Sequence, residues 1–441
     1  RGGRLELDKD KLNPIVTNVL KDAGLTYSDE DRSTWSAVKG FANLMRRNSF
    51  VPKNAMGRGP RFSGPSPEEY VDEFILHEGV DLRPEVLLRL SEEVVFRSIE
   101  QAFAPFIDFD DQIYMSTTFF CQYDQFDVVL VDEAQDLSPQ NHRQLMLCKP
   151  RQLIAVGDPK QAIYAFRGAD HQSMANLEDL AARQLSLNMK RLPLATTFRC
   201  PKAIVARQHD HYPEYTAADS APEGEVNFLD QWSTTDLRPG SAIICRNNAP
   251  LLSLAFLLLR NNVGFRFVGF DMAKNLKSLV KKIAGLSGKT LSKGQEAMSC
   301  DELLTRMSIW YEGEAARINA RGKGELLSAL KDRKECVRII LSKTKTLREA
   351  MDLCETIFNS QGLTVTLSTG HKAKGLEWTD VYHLDPFRIP SKYALRAADQ
   401  GNPSQLMQEN NLRYVIETRA KNSLNFIDLE ANADIDPVEE D

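Results

Sequence analysis

Residues 127–136 read Asp-Val-Val-Leu-Val-Asp-Glu-Ala-Gln-Asp, and residues 152–161 read Gln-Leu-Ile-Ala-Val-Gly-Asp-Pro-Lys-Gln. Each stretch contains a short run of β-branched and apolar residues, which is typical of a central parallel strand that is buried on both faces. Helix-like sequence separates the two runs. A strand, a helix and a second strand in this order predict an α/β fold with a parallel sheet.

Polar side chains follow each of the two predicted strands. Asp132 and Glu133 come directly after the first strand, and Asp158 and Gln161 follow the second. Ligands of open α/β sheets bind at the carboxyl ends of the strands, so we expect these side chains at one edge. Carboxylates there suit a hydrated Mg²⁺ ion and a water molecule awaiting deprotonation, as phosphoryl transfer requires. A solvated acidic loop is the alternative for the Asp-Glu pair alone, and the second segment in register argues against it.

The composition bounds the size and class of the protein. With 441 residues, the chain is long enough for two or three domains, each with its own core. Hydrophobic residues make up 42% of it and charged residues 26%, which are ordinary values for globular proteins. The net charge is −6, so the composition neither indicates nor excludes a nucleic-acid partner.

Cysteine usage and hydropathy predict a cytoplasmic protein without a membrane partner. The seven cysteines form no Cys-x-x-Cys pair, so neither a zinc site nor a disulfide framework is indicated. His209 and His211 form a His-x-His pair, but no third metal ligand lies nearby in the sequence. The longest apolar run, Leu251–Leu259, is too short to span a bilayer, and no signal peptide is visible.

Residues 132–136 and 157–170 closely resemble motifs II and III of the UvrD/Rep family of superfamily 1 DNA helicases. Later segments resemble motifs IV, V and VI in the order that the family has them. They are Leu-Ala-Thr-Thr-Phe-Arg-Cys-Pro-Lys-Ala-Ile-Val at 194–205, Ser-Thr-Gly-His-Lys-Ala-Lys-Gly-Leu-Glu-Trp at 368–378, and Gln-Glu-Asn-Asn-Leu-Arg-Tyr-Val-Ile-Glu-Thr-Arg-Ala-Lys at 408–421. The resemblance implies an ATP-dependent 3′–5′ DNA helicase or translocase with ATP and Mg²⁺ as cofactors.

The resemblance further implies an α/β fold of two RecA-like P-loop NTPase domains, the first of them incomplete, with helical insertions. The expected organisation is a helical insertion of the first motor domain at 1–105, the remainder of that domain with motifs II and III at 106–190, the second RecA-like domain with motifs IV to VI at 191–274 and 359–431, a short helical accessory insertion at 275–358, and an acidic tail at 432–441. Within that tail, the acidic composition predicts disorder for Asp434–Asp441.

The family's catalytic roles transfer to matching positions of this sequence. By resemblance, Asp132 holds Mg²⁺ through its water shell, Glu133 is the general base, and Gln161 contacts both the lytic water and the γ-phosphate. Arg199 and Arg419 are arginine fingers from the second domain, where a guanidinium stays charged and binds phosphate oxygens bidentately.

The nucleotide and DNA contacts are implied in the same way. The remaining nucleotide-binding positions are Phe198, which would stack on adenine, Glu377, which would bind the ribose hydroxyls, and Gly375. Single-stranded DNA would contact Tyr164, Phe166 and Arg167 of motif III and Thr369 and His371 of motif V. Phe166 stands where the family more commonly has tryptophan. The implied partners are single-stranded DNA and junctions of single- and double-stranded DNA.

No Gly-x-x-x-x-Gly-Lys-[Ser/Thr] loop for ATP phosphates occurs in the 441 residues. The chain is therefore either the C-terminal portion of an intact helicase or a degenerate protein that serves as an inactive nucleic-acid-binding or partner-recruiting module. We favour the first interpretation, because a decayed ATPase would have little reason to keep Glu133, Arg199 and Arg419 together. For the chain alone we expect no ATPase activity.

Local patterns predict mainly helical structure before residue 105. The predicted helices are Leu12–Leu20, Trp35–Leu44, Pro67–Ile75 with Ser66 as N-cap, and Pro84–Phe103. A loop is expected at Asn54–Pro65. The cations of this region form a basic cluster for which a solvated surface and a DNA-backbone contact both stay open: Arg46, Arg47, Lys53, Arg58 and Arg61.

Overall fold

The computed structural model describes residues 5–25, 32–78, 80, 82–119, 121–163, 172–268, 271–286, 292–359, 365–401 and 403–434. Contacts divide the chain into two compact units. Arg1–Arg191 with Leu286–Thr290 form the first unit, and Leu192–Gly285 with Leu291–Asp441 form the second. Both units combine parallel strands with helices, which confirms the predicted α/β class.

The first unit contains a helical part followed by a small α/β part. Its elements in chain order are β1 (Glu6–Leu7), α1 (Leu12–Asp22), α2 (Arg32–Arg47), α3 (Val71–Glu78), α4 (Pro84–Phe103), β2 (Phe106–Ile107), α5 (Phe109–Thr118), β3 (Val128–Val131), α6 (Pro139–Leu147), β4 (Gln152–Ala155) and α7 (Ser173–Leu185).

Helices α1, α2 and α4 pack together around the apolar core of the helical part. In α2, Val38, Phe41, Ala42 and Met45 are all fully buried. Their spacing of three and four residues places them on one face of a helix, so the same pattern that predicts the helix also builds the core.

A buried ion cluster ties α1, α2 and α5 together. The guanidinium of Arg46 donates to Asp108 at 2.9 Å and to Asp111 at 2.8 Å, and Lys11 also donates to Asp111. Asp108 caps α5 by accepting from the backbone N–H of Asp111 at 2.8 Å. Burial alone would raise the pKa of Asp108, but the charge of Arg46 brings it below its ordinary value. Arg46 is thus a structural cation, and the predicted surface cluster does not include it.

Two other cations of that cluster have acidic partners at the surface. Arg58 pairs with Glu100, and the Nε of Arg47 lies 3.2 Å from Asp110. The expected loop at 54–65 begins within a 3-10 helix, Lys53–Arg58. Ser66 is the N-cap of a 3-10 helix, Pro67–Glu69, but its side chain accepts no capping hydrogen bond, and α3 starts only at Val71.

Strands β3 and β4 pair in parallel, with Val128 opposite Gln152 and Val131 opposite Ala155. One face of this pair packs against the core that α6 and α7 provide. The other face is exposed, with Leu130 73% and Ile154 42% accessible. The prediction that β3 is buried on both faces is therefore wrong for the described residues, because composition selects a strand without specifying what covers it.

The second unit contains a larger sheet and a helical insertion. Its elements are β5 (Thr196–Thr197), α8 (Lys202–Gln208), β6 (Thr216–Ala217), β7 (Glu225–Leu229), β8 (Ser241–Cys245), α9 (Asn248–Arg260), β9 (Phe265–Phe267), α10 (Asp271–Ile283), α11 (Lys293–Glu296), α12 (Cys300–Ala320), α13 (Leu327–Ser342), α14 (Leu347–Asn359), β10 (Val365–Thr369), α15 (Gly370–Ala373), β11 (Trp378–Leu384), α16 (Lys392–Asp399), α17 (Ser404–Glu417) and β12 (Ala420–Ile427).

Within the described residues of this unit, a six-stranded sheet has the order β7-β12-β11-β8-β10-β9, and its strand pairs are all parallel. The strands β8 and β10 are buried along their whole length. Thr369 and Leu384 both lie opposite Cys245, so β10, β8 and β11 end side by side at one carboxyl edge. Parallel sheets place ligands at this edge.

The helical insertion α10–α14 is joined to the sheet through α13 and α9. Asp332 of α13 accepts hydrogen bonds from the backbone N–H groups of Asn248 and Ala249, both at 3.0 Å. These N–H groups open α9 and have no acceptor within their own helix, so a carboxylate from α13 caps α9.

The end of the chain differs in part from the prediction of a disordered tail. Asp434 accepts from the backbone N–H of Thr234 at 2.7 Å and from its hydroxyl at 2.8 Å, whereas residues 435–441 lie outside the described residues. Among the helices of the described residues, none has the length and apolar character needed to cross a membrane.

Candidate functional site

Asp132 and Glu133, the carboxylates that follow β3, lie on a turn that is stabilised by hydrogen bonds from side chains within the turn. Glu133 adopts a left-handed backbone conformation with φ of 52°, which is uncommon for a residue other than glycine. Its N–H donates to Oδ1 of Asp132 at 2.9 Å, and its carboxylate accepts from the side-chain amide of Gln135. Asp132 and Glu133 are exposed, whereas Gln135 is 1% exposed. A buried amide therefore orients an exposed carboxylate.

The same amide joins the ends of the two strands. Oε1 of Gln135 accepts from the N–H of Asp158 at 3.0 Å, and Asp158 in turn accepts from the side chain of Gln161 at 2.9 Å. Gly157 allows this approach, because a Cβ there would lie 2.5 Å from Oε1 of Gln135. The structure thus brings Asp132, Glu133, Asp158 and Gln161 to one edge, as the strand pattern predicts.

Two buried residues outside the predicted site also stabilise this turn. The hydroxyl of Ser173 donates to the carbonyl oxygen of Ala134, and His142 lies 2.9 Å from that hydroxyl through Nε2. Ser173 and His142 are both at most 2% exposed. Sequence reasoning missed Gln135, Ser173 and His142; the motif letters contained Gln135, but its partners become visible only in three dimensions.

The donor set at this edge fits a hydrated magnesium ion. Mg²⁺ keeps several water ligands and uses one or two carboxylates, and Asp132 and Glu133 offer exposed oxygen donors. Within the described residues no group of three or more His, Cys, Asp or Glu side chains could hold a metal directly.

The motif III residues predicted to contact DNA, Tyr164, Phe166 and Arg167, lie outside the described residues. The described chain before them ends with the buried residues Ala162 and Ile163.

In the second unit, Glu377 forms ion pairs with two cations. Nε of Arg199 lies 3.0 Å from one of its carboxylate oxygens, and Lys421 donates to the other oxygen. The hydrogen bond from Lys421 lowers the pKa of Glu377, and the charge of Arg199 adds to this effect. Arg199 precedes α8, Glu377 precedes β11 and Lys421 lies in β12, so the fold brings together motifs IV, V and VI. Lys421 was not among the predicted site residues.

Arg419 is buried, with 1% of its surface accessible, rather than extended into solvent. Its guanidinium donates to the carbonyl oxygens of Val415 at 2.8 Å and Leu376 at 3.4 Å and to the hydroxyl of Thr418 at 3.2 Å. Burial lowers the pKa of Arg419, and the nearby positive charge of Arg199 lowers it further. These contacts are all with neutral acceptors, so the guanidinium charge is not neutralised by them.

Two further predicted nucleotide positions lie close to these groups in the sequence. Phe198 is 86% exposed next to Arg199, as a stacking surface requires. Gly375 has a φ of 80°, a conformation that glycine adopts without steric cost. The predicted DNA contacts Thr369 and His371 lie where β10 ends and α15 begins.

Gly370 explains how this last turn fits against the sheet. A Cβ at Gly370 would lie 2.8 Å from side-chain atoms of Ile416 and Leu412, so a larger residue would have to displace these buried side chains where α15 packs against α17. The close packing fixes the position of Thr369 and His371 at the carboxyl edge.

Comparison with known families agrees with this geometry. A family model described as the UvrD/REP helicase N-terminal domain matches residues 26–182, and one described as the UvrD-like helicase C-terminal domain matches residues 273–430. Together the two matches cover more than half of the chain. The chain belongs to the UvrD/REP helicase family. Domains of this family are RecA-like P-loop folds, which confirms the predicted fold.

Several curated proteins are similar to parts of this UvrD-like chain. F-box DNA helicase protein 1 of Schizosaccharomyces pombe is 27% identical over 319 residues, which cover 68% of this chain and 34% of that protein. A mitochondrial ATP-dependent DNA helicase of Saccharomyces cerevisiae is 36% identical over 83 residues, covering 19% of this chain and 11% of the relative. The RecB subunit of the Escherichia coli RecBCD enzyme is 50% identical over 50 residues, covering 10% and 4%. The chain spans about a third of the first relative's length and less of the others.

Proposed function

We propose that this chain carries motor elements of an ATP-dependent DNA helicase that moves 3′ to 5′ along single-stranded DNA. The family relationship supports the class of activity. The observation that carries the proposal is the braced turn after β3, where buried Gln135 orients Glu133 beside Asp132. We assign the Mg²⁺ and water-activation roles of hydrolysis to these exposed carboxylates, and the hydrogen bond by which Gln135 orients Glu133 supports the assignment.

The proposed reaction uses the first unit for water activation. Bound Mg²⁺ would neutralise phosphate charge, with Asp132 holding its water shell. Glu133 would accept the proton of the attacking water, and Gln161 would contact that water and the terminal phosphate. The hydrogen bond from Gln135 to Glu133 would aim the carboxylate at the water.

The second unit would supply positive charge and hold the nucleoside. Arg199 and Arg419 would approach the phosphates, and the neutral acceptors around the buried guanidinium of Arg419 support a role in anion binding. Glu377 and Gly375 would bind the sugar side, and Phe198 would stack on the adenine. Single-stranded DNA would contact Thr369 and His371 in the second unit, and the motif III residues Tyr164, Phe166 and Arg167 would also bind it.

Glu133→Gln tests the proposal. In a longer gene product that supplies a phosphate-binding loop, we expect DNA-stimulated ATP hydrolysis to fall about 10²- to 10⁴-fold, the usual contribution of a general base. Affinity for single-stranded DNA should stay unchanged. Glu223→Gln, an exposed carboxylate outside the motifs, is the control. Unchanged hydrolysis in Glu133→Gln would refute the assigned role.

The second candidate is an inactive helicase-like module that binds nucleic acid or recruits a partner. It is favoured by the lack of a Gly-x-x-x-x-Gly-Lys-[Ser/Thr] loop within the 441 residues. For this chain alone we expect DNA binding without ATP hydrolysis. Hydrolysis by the purified chain would show that its phosphate contacts lie elsewhere, whereas a longer, loop-containing product that binds DNA but never hydrolyses ATP would favour the module.

A further inference from the structure

An aromatic and basic surface follows β11 and belongs to none of the motifs described above. It consists of Phe387, Arg388, Lys392, Tyr393 and Arg396, and we name it the Phe387 surface. Residues 385–396 contain three cations and one carboxylate, in a chain whose net charge is −6. Aromatic residues interleaved with cations are the composition that binds single-stranded nucleic acid.

The exposure of Phe387 sets it apart from a core residue. Its side chain is 66% accessible, and the guanidinium of Arg388 lies 5.3 Å from its ring centroid. Tyr393 and Arg396 of α16 form a second such pair at 6.0 Å. Single exposed phenylalanines are ordinary on protein surfaces, and Phe109 is 64% accessible without such a pairing among the contacts described for it. An arginine beside an open aromatic ring places guanidinium N–H donors next to it, and Lys392 and Arg396 add positive charge in the same segment.

A buried aspartate fixes the turn that presents the ring. Asp385 is 2% exposed and has a left-handed φ of 51°. It accepts from the N–H of Leu429 at 2.8 Å and from Nε of Arg388 at 2.7 Å. Its own N–H donates to the carbonyl oxygen of Ile427 at 2.8 Å. Strained backbone that surrounding contacts hold in place is characteristic of binding sites.

The position of this turn relates it to the predicted phosphate contacts. Leu384 and Thr369 both lie opposite Cys245 in the sheet, so the turn after β11 leaves the same carboxyl edge as Thr369 and His371. A strand of DNA that follows this edge would pass both groups.

We propose that the Phe387 surface binds an unpaired base of single-stranded DNA by stacking on Phe387, with Arg388 and the cations of α16 near the adjoining phosphates. This site deepens the proposed function and rests on it. It adds a base-stacking contact to the phosphate contacts of Thr369 and His371, and aromatic stacking accepts any base.

The experiment measures fluorescence anisotropy of two labelled 20-nucleotide probes with the purified chain. One probe is oligo-dT, and the other has the same backbone with abasic residues throughout. Phe387→Ala should weaken oligo-dT binding by about 5- to 150-fold, the range that loss of one stacked base gives. Binding of the abasic probe should be unchanged. Phe387→Trp should bind oligo-dT at least as well as the parent, and Phe109→Ala should match the parent on both probes.

The possible results separate this inference from the proposed function. If the parent chain binds oligo-dT but Phe387→Ala binds it equally well, the stacking site is refuted and the helicase proposal stands. If Phe387→Ala weakens both probes equally, the ring does not act by stacking and the inference also fails. If the parent chain binds neither probe, the proposed DNA-binding function itself fails. Circular dichroism of each variant, with a melting temperature within about 2 °C of the parent, shows that the fold is retained.

Discussion

Nε of Arg199 lies 3.0 Å from Oε2 of Glu377, although 178 residues separate them in the chain. Their side chains are 39% and 40% accessible. Half-exposed ion pairs contribute about 0–1 kcal/mol to stability because water and salt screen them. A gain in stability therefore does not explain this pairing. A nucleotide that contacts both residues would explain it. The ion pair places Arg199, which we propose to contact phosphate, next to Glu377, which we propose to contact ribose.

Glu377→Gln is expected to separate these two roles. The change removes the charge that holds Arg199 and Lys421, so the melting temperature should fall by no more than a few degrees. If Glu377 binds ribose, the KM for ATP in a product with ATPase activity should rise several-fold. Thermal unfolding and steady-state kinetics measure the two effects.

A matched variant controls for the loss of a surface ion pair. Glu355→Gln removes the partner of Lys277 on the helical insertion, where the carboxylate is 58% accessible. It should lower the melting temperature by a similar amount and leave KM unchanged. A rise in KM with Glu355→Gln as well would remove the case for a specific nucleotide contact at Glu377.

Gly157→Ala should disturb the turn that carries Glu133. A Cβ at this position would lie 2.5 Å from Oε1 of Gln135 and 3.0 Å from the backbone nitrogen of Ala134. Backbone cannot move aside cheaply, so we expect a loss of about 1–3 kcal/mol in the free energy of unfolding. Chemical denaturation measures this loss.

Gly313→Ala is the control for the glycine substitution. Gly313 lies inside α12, and a Cβ there would meet no atom within 4 Å. Alanine favours helix over glycine, so this variant should gain up to about 1 kcal/mol. Equal effects at the two positions would mean that the close approach at Gly157 is not a constraint.

The sequence predicts elements whose formation depends on local pattern. The helix predicted at Pro84–Phe103 has the same bounds in the structure, and the helix predicted at Leu12–Leu20 starts at the predicted residue and continues to Asp22. In both, the apolar spacing and the flanking residues suffice, because they act over a few residues.

Features that depend on distant partners could not be predicted in this way. The sequence predicts Arg46 to be a surface cation. In the structure it is buried against Asp108 and Asp111, which lie 62 and 65 residues later in the chain. Leu130 is predicted to be a core residue because its strand is apolar. Its side chain is exposed in the structure, because burial depends on which elements pack over β3. The role of Gln135 likewise follows from its bond to the N–H of Asp158, 23 residues later.

Asp111→Asn tests whether the Arg46 cluster is structural. The carboxylate of Asp111 is fully buried between Lys11 and Arg46, so its neutralisation removes the carboxylate that Lys11 donates to and one of the carboxylates around Arg46. Removing one partner of a buried ion pair costs about 3–5 kcal/mol. We expect a loss of this size in urea denaturation of the helical part, with no change in DNA affinity for the folded fraction.

Asp110→Asn provides the comparison one residue away. Its carboxylate is 28% accessible and pairs with Arg47 at 3.2 Å. Because water screens this pair, we expect a loss of about 1 kcal/mol or less. If the two variants lose equal stability, burial is not what makes Asp111 important. A drop in DNA affinity confined to Asp111→Asn would return the cluster to the DNA-contact interpretation.

His383 should make the second unit sensitive to acid. It lies in β11 with 1% of its side chain accessible, and neither ring nitrogen has a hydrogen-bond partner among the described residues. Burial lowers its pKa to about 3, with contributions from the positive charges of Arg413 and Arg207. An unfolded chain takes up a proton here below about pH 6.5, whereas the folded chain does so only near pH 3. The free energy of unfolding should therefore fall with pH across this window, by up to about 1.4 kcal/mol per unit.

His383→Leu removes this proton uptake and two buried polar atoms without partners. At pH 7 the variant should be at least as stable as the parent. Between pH 7 and pH 5, the difference in free energy of unfolding should grow by about 2 kcal/mol in favour of the variant. The neighbouring carboxylate of Glu417, whose pKa burial raises, works in the opposite direction but is present in both proteins. Urea denaturation from pH 8 to 5 measures the difference, and His209→Leu, at an exposed histidine, is the control. If parent and His383→Leu lose stability in parallel as the pH falls, His383 is not the group that confers acid sensitivity.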